Sequence, residues 1–337
     1  MKKILLLSLL LLSQFISAQT NIGELVTYAI EDITRFGNAF INPAAKGVMY
    51  NVNNGWYNTA ESKKFLEFEI AVTGNLTFVQ RDENSFPVNV NDYNNIRFED
   101  EAIAKQVATI FGRNNPDIKV FLDYTTPDGE ESVEVLLPQG IDEGQVKSVP
   151  NVFLQGSVGL VKATELKFRY APEVNYGDVK KQLYGAGIQH EFTSWLKEDN
   201  TFPLKIAGLL GYTNFKGFFD LKESGEQNSD QGIDSEMDTW TFSLISSTEF
   251  EMLNFYAGIG YLTAKSETKF KGVYKIAEED EIFQDLLNNY SVTNKVHGFN
   301  ATIGARLSID NFRINTAFNI QEFYNLTVGF AYVFNSN

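Results

Sequence analysis

An all-β fold is predicted for this 337-residue sequence, with antiparallel strands closed into a barrel of ten to twelve members behind an N-terminal, partly helical plug. Three observations lead there. Apolar and polar residues alternate with a period of two from Leu66 to the C-terminus, as in strands with two unlike faces. Most alternating runs reach nine residues or more, the length a tilted strand needs to cross an outer membrane, whereas soluble sheets favour about five or six. The connections between the runs alternate short and long, as they do in bacterial barrels with short periplasmic turns and long external loops.

Composition narrows the classes further. With 28 Lys+Arg against 43 Asp+Glu the net charge is −15, the wrong sign for a partner rich in phosphates, so no nucleic acid is expected. The absence of cysteine excludes disulfides, thiolate metal sites and a Cys nucleophile.

The N-terminus reads as an export signal over residues 1–18. Lys2 and Lys3 precede an apolar stretch over residues 4–12, and Ile16-Ser17-Ala18 forms a small-residue cleavage site. That apolar stretch is about half of the ~20 residues a transmembrane helix needs. Residues 19–63 do not alternate. Leu25, Ala29, Ile33 and Phe36 fit a short helix ending at Gly37, and turn formers mixed with aromatics follow through Asn42, Pro43, Trp56 and Tyr57. A compact piece of this size ahead of the first strand can enter the lumen and plug it.

Residues 64–337 then form the barrel. In the first strand, over 66–78, Phe68, Ile70, Val72 and Leu76 share one face while Glu67, Glu69, Thr73 and Asn75 share the other. Further strands are expected at 152–160, 164–170, 183–194, 204–218, 237–250, 253–269, 293–309, 311–320 and 324–334. The last carries aromatics at both ends of its oily face, Tyr324 and Phe334, as lipid-facing strands do at the two membrane interfaces. Alternation is equally compatible with a soluble barrel whose oily face points inward; the export signal and the aromatic ends favour the membrane.

Between the first two strands lies an external insertion over residues 81–150, with 14 acidic and 6 basic residues. Ile103, Val107, Ile110 and Phe111 predict an amphipathic helix over 97–112. Segments 119–124 and 132–137 flank Thr126-Pro127-Asp128-Gly129 and predict a hairpin above the membrane; were it to span, the count would be twelve. The connections at 171–182, 219–236 and 270–292 read as further outer loops, and the last two are again acidic. Such loops are either simply solvated or share divalent cations with lipopolysaccharide, and none has the spacing of an EF-hand.

The candidate site residues follow from this frame. Asn42, Pro43, Trp56 and Tyr57 are plug residues that pack against the wall or meet a ligand. Glu67, Glu69, Glu165, Lys167 and Arg169 point into the lumen by parity, where they anchor the plug through ion pairs or bind a polar solute. No catalytic residue, metal ligand or cofactor is expected. The two histidines, His190 and His297, share their parity with the oily face, and neither a Gly-x-Ser-x-Gly elbow nor a zincin motif occurs.

The helical start, Asn42-Pro43-Ala44, and Gly185-Ala186-Gly187-Ile188-Gln189-His190-Glu191 leading to Trp195-Leu196 resemble the long-chain fatty-acid outer-membrane transporter family. That resemblance implies an N-terminal hatch filling a barrel of fourteen strands, with hydrophobic molecules leaving laterally. In style the chain is also similar to uncharacterised outer-membrane proteins of the Bacteroidota, which leaves the cargo open. The resulting expectation is an outer-membrane channel or transporter for small hydrophobic molecules, or alternatively a structural or surface-interaction barrel. Its partners would be outer-membrane lipids, lipopolysaccharide and the barrel-assembly machinery.

Overall fold

In the computed structural model the described residues are 22–126, 129–137, 148–176, 179–196, 203–220, 232–271 and 291–334; the stretch expected to be an export signal, residues 1–18, lies outside them. The chain begins with a helix, α1 (Ile22–Asn53). Strand β1 (Phe68–Phe78) follows, then five short strands: β2 (Ser85–Asn89), β3 (Ile96–Phe98), β4 (Ala104–Ala108), β5 (Lys119–Thr126) and β6 (Gly129–Leu136). Nine long strands complete it: β7 (Ser148–Gly159), β8 (Thr164–Tyr176), β9 (Val179–Glu191), β10 (Lys205–Asp220), β11 (Gly232–Ser247), β12 (Leu253–Lys271), β13 (Ser291–Ile309), β14 (Phe312–Ile320) and β15 (Asn325–Phe334).

β1 and β7 to β15 close into one barrel of ten strands, with β1 paired to both β15 and β7. The count is therefore ten, and neither twelve nor the fourteen implied by the family resemblance. Each wall strand pairs antiparallel with its neighbour in sequence, so closure leaves no edge exposed. At one end the turns are tight: β13 returns into β14 through Asp310, held at φ 50°, a backbone state that Asp tolerates in hairpin turns. At the other end lie the connections over 79–147, 221–231 and 272–290. The segment expected as a loop at 171–182 is instead a hairpin, because β8 runs on to Tyr176 and β9 starts at Val179.

The oily parity faces outward. Along β1, Phe68, Ile70 and Val72 are exposed while Glu69, Ala71, Thr73, Asn75 and Thr77 are buried. β15 repeats the pattern with Leu326, Val328 and Phe330 outside and Asn325, Thr327 and Ala331 inside. A barrel that folds with a wet interior wall and a greasy outer wall has the polarity of one embedded in lipid.

The insertion forms a separate head at the long-loop end, built from a two-stranded sheet, β2–β4, and a three-stranded sheet, β3–β5–β6. Its core is Val88, Phe98, Val107, Val120 and Leu137. The expected hairpin is present as β5–β6, outside the barrel. The helix expected over 97–112 is not: β3 and β4 occupy that stretch, and Ile103, which would belong to the helix's apolar face, is 64% exposed. Partner strands outweighed local spacing, since β4 pairs along its whole length with β2.

The N-terminal helix also differs from expectation. It does not stop at Gly37 but continues for 32 residues through Pro43. Tertiary contacts override both breakers. Asp32 accepts the backbone N–H groups of Asn94 (2.9 Å) and Asn95 (3.1 Å), and Phe36 packs on Phe86 at 5.4 Å, so the head clasps the first half. Pro43 removes one helical donor, and near this break the Phe40 carbonyl takes an N–H from Ile110 of the head at 2.9 Å. The second half of α1 lies in the lumen.

Candidate functional site: the filled lumen

Below Pro43 the chain runs through the barrel from the long-loop end to the short-turn end, and wall residues fasten it at each level. At the upper mouth Lys46 pairs with Glu322 at 2.7 Å, and Tyr50 donates its hydroxyl to the other oxygen of that carboxylate at 2.8 Å. Just beneath, Met49 and Tyr50 pack with Leu262, Ala264, Val296 and Phe323.

At mid-depth the helix ends and Arg169 caps it. Its guanidinium donates to the carbonyls of Val52 (3.0 Å) and Asn54 (2.9 Å) and to Gln155 Oε1 (2.8 Å). A cation at the last carbonyls is where the helix dipole favours one. The same guanidinium lies over two rings, 3.6 Å from the Trp56 centroid and 4.5 Å from that of Phe153. The turn out of the helix passes through Gly55 at φ +79°, and an added Cβ there would meet Thr73 at 2.9 Å.

Trp56 is 1% exposed and occupies a slot in the wall. The slot exists because β9 and β10 carry glycine at inward positions: a Cβ on Gly187 would stand 2.9 Å from the indole and one on Gly211 2.6 Å. The next residue, Tyr57, leans on Gly258 and hydrogen-bonds Ser243 and Thr302. A cavity of about 10 Å³ beside these two rings has room for one water, and Trp56 Nε1 and Asn300 Oδ1, which otherwise lack partners, border it.

Lower still, Thr59 meets Ser247 at 3.2 Å and its carbonyl accepts from Gln189 at 3.1 Å. Ser62 N–H donates to Glu191 at 2.9 Å. At the bottom Lys63 is buried among wall carboxylates, 3.1 Å from Glu165 and 3.6 Å from Glu69, and Lys167 reaches Glu165 at 2.8 Å. Arg306 closes the group by pairing with Glu61 at 3.6 Å.

Of the residues singled out from sequence, Trp56, Glu69, Glu165, Lys167 and Arg169 lie buried where wall and N-terminal segment meet. Tyr57 is half-buried beside them, and Pro43 is buried within α1 while Asn42 is half-exposed at the same level. Glu67 stands apart: it precedes β1 at the rim, where its carboxylate accepts the backbone N–H of Lys64 at 3.0 Å. His190 and His297 are on the outer wall. The sequence reading missed Lys63, Gln155, Gln189, Glu191 and Arg306. Inward parity pointed to four of these, whereas Lys63 sits in a stretch without periodicity. Among the described residues no group of three or more His, Asp or Glu comes together as a metal site.

The model of a family of unknown function, DUF6588, matches residues 1–334. The chain belongs to DUF6588. No curated protein matches this DUF6588 member. Solved structures with some likeness include the attachment invasion locus protein Ail of Yersinia pestis, at 9% identity and TM-score 0.30 over 80% of this chain and 100% of that one. The translocator domain of the autotransporter NalP from Neisseria meningitidis has 11% identity and TM-score 0.29 over 91% and 99%. The P. putida toluene transporter TodX has 8% identity and TM-score 0.22 over 82% and 92%. These three proteins are named for different activities, and the likeness extends to none of them.

Proposed function

We propose that this DUF6588 protein is an outer-membrane barrel sealed by its own N-terminal segment, and that it serves to hold the small β head at the cell surface as an interaction module. One observation carries the reading: α1 and residues 54–64 are bonded to the wall from Lys46–Glu322 at one mouth to Lys63–Glu165 at the other. Along that path the cavity next to Trp56 and Tyr57 admits a single water. Exposed apolar side chains on nine of the ten wall strands, with half-buried Ile206 and Leu210 on β10, support the membrane location, since an exposed greasy surface of this extent needs lipid to cover it. Because bacterial barrels keep their long loops outside, the head and the first half of α1 face the exterior.

Passage of small hydrophobic molecules is a distinct proposal for the same fold, and it requires residues 43–64 to leave the lumen. Deletion of residues 22–60 separates the two. A sealed display barrel gains steady ion conductance in a planar bilayer on that deletion, while the intact chain stays silent with or without an added hydrophobic solute. Solute-dependent leak through the intact chain would overturn the display reading. Intact protein that stays monodisperse in buffer without detergent would overturn the membrane location.

A further inference from the structure

Above the oily band, the outer wall of β9 to β13 carries a belt of charge whose pairing leaves a remainder. Glu236 pairs with Lys216 at 3.1 Å and Glu267 with Lys269 at 2.8 Å. Asp238 is held by the Tyr212 hydroxyl and by Asn214 at 3.0 Å, and Asp234 also has a partner. Lys180 lies over the Phe218 ring at 5.4 Å. Two further cations face each other: Lys265 on β12 is the register partner of Lys295 on β13, both side chains exposed on the outer wall, while on its other side Lys265 faces Asp238 on β11 and Glu267 stands two residues along β12. Neither has an ion-pair partner among the described residues. Like charges directly opposite one another on adjacent strands disfavour the pairing; Asp238, held by Tyr212 and Asn214, and Glu267, paired with Lys269, offset part of this, and an anion between the two ammonium groups would offset the rest. His297, the exposed outward residue two positions from Lys295, adds a third donor on the same face.

Height identifies the anion. The outward apolar row of β12 runs from Leu253 to Tyr261, spanning roughly 20 Å of height at ~3.3 Å per residue and a tilt of ~40°. Lys265 stands on the long-loop side of Tyr261, about 10 Å higher by the same arithmetic, where the outer-leaflet headgroups begin. We propose that Lys265 and Lys295, with His297, bind the phosphate ester of an outer-leaflet glycolipid. Charge-assisted N–H···O⁻ bonds from both lysines to one phosphate would turn a repulsive register pair into a clamp. This inference rests on the outer-membrane reading above.

The test uses the full mature chain folded into vesicles made with lipid A carrying its phosphates, or with the same lipid dephosphorylated. The wild type is expected to retain phosphorylated lipid A at least about tenfold more tightly than the dephosphorylated form, and Lys265→Ala/Lys295→Ala to lose that preference. Lys216→Ala, which breaks a satisfied pair, should keep it. The double variant removes two exposed side chains and one repulsion, and slower gel migration on heating verifies that it folds. Equal retention of both lipids by the wild type, or an unchanged preference in the double variant, overturns the clamp while leaving the barrel reading intact. Competition by inorganic phosphate at the concentration of lipid A phosphate would overturn the lipid as its source. Failure to insert into either vesicle would overturn the membrane reading itself, and the clamp with it.

Discussion

Arg169→Ala tests how the lumen is sealed. The side chain is buried, donates to two carbonyls at the end of α1 and to Gln155, and lies over the Trp56 ring. Hydrogen bonds from a charged donor contribute about 1.5–3 kcal/mol each, and a desolvated cation over an indole about 2 kcal/mol. Against this stands the cost of burying a guanidinium that no carboxylate pairs. Removing one partner from a buried charged network typically costs about 3–5 kcal/mol. These contacts join the N-terminal segment to the wall, so the loss falls on docking of that segment, whose undocked fraction should rise on the order of 10²–10³-fold at ~1.4 kcal/mol per decade. The assay is acrylamide quenching of Trp56 in a Trp195→Phe/Trp240→Phe background; the two removed indoles are exposed, one in the turn after β9 and one on the outer wall, whereas Trp56 is 1% exposed. Quenching should be near zero with Arg169 and clearly measurable after Arg169→Ala. An unchanged quenching constant, with an unchanged urea midpoint, would refute the idea that this residue latches the segment.

Other perturbations probe neighbouring levels. Gly211→Val would drive its new atoms into the indole, which already lies 2.6 Å from where a Cβ would stand, so Trp56 should be expelled and bilayer conductance should appear in a barrel that still shifts on heating. Lys63→Met leaves Glu69 and Glu165 with Lys167 in contact with Glu165 and Arg306 at longer range; a loss of about 3–5 kcal/mol in urea unfolding is expected, and rescue by Glu165→Gln in the same chain would mark the ion pair as its origin. Cysteine introduced at Glu31 or Ile103, both exposed in a protein that has none of its own, should react with an impermeant maleimide on intact cells. Labelling only after the outer membrane is breached would reverse the assigned orientation.

The wall was legible because its physics is local. Each strand must offer grease to one side and polar groups to the other, so the period of two survives in single segments such as 66–78 and 324–334 and yields ten strands. The head was less so. Val107 is a core residue, but as part of β4 paired to β2, and its neighbours merely happened to fall at helical spacing. The long helix was hidden by Gly37 and Pro43, whose local cost is offset by contacts with Phe86, Asn94 and Ile110 from a segment far along the chain. Parity located Glu69, Glu165, Lys167 and Arg169 on the inner wall but could not reveal what they hold. The slot for Trp56 was invisible for a related reason: Gly187 and Gly211 read as ordinary small residues of a strand until the ring that fills their space is seen.

Single-channel recording on the intact protein tests the central claim most directly. A barrel sealed along its length should insert, shown by resistance to added protease and by heat-dependent gel migration, and yet give no conductance steps until residues 22–60 are deleted. Stable open-channel steps from the intact chain, with Trp56 still shielded from acrylamide, would contradict it.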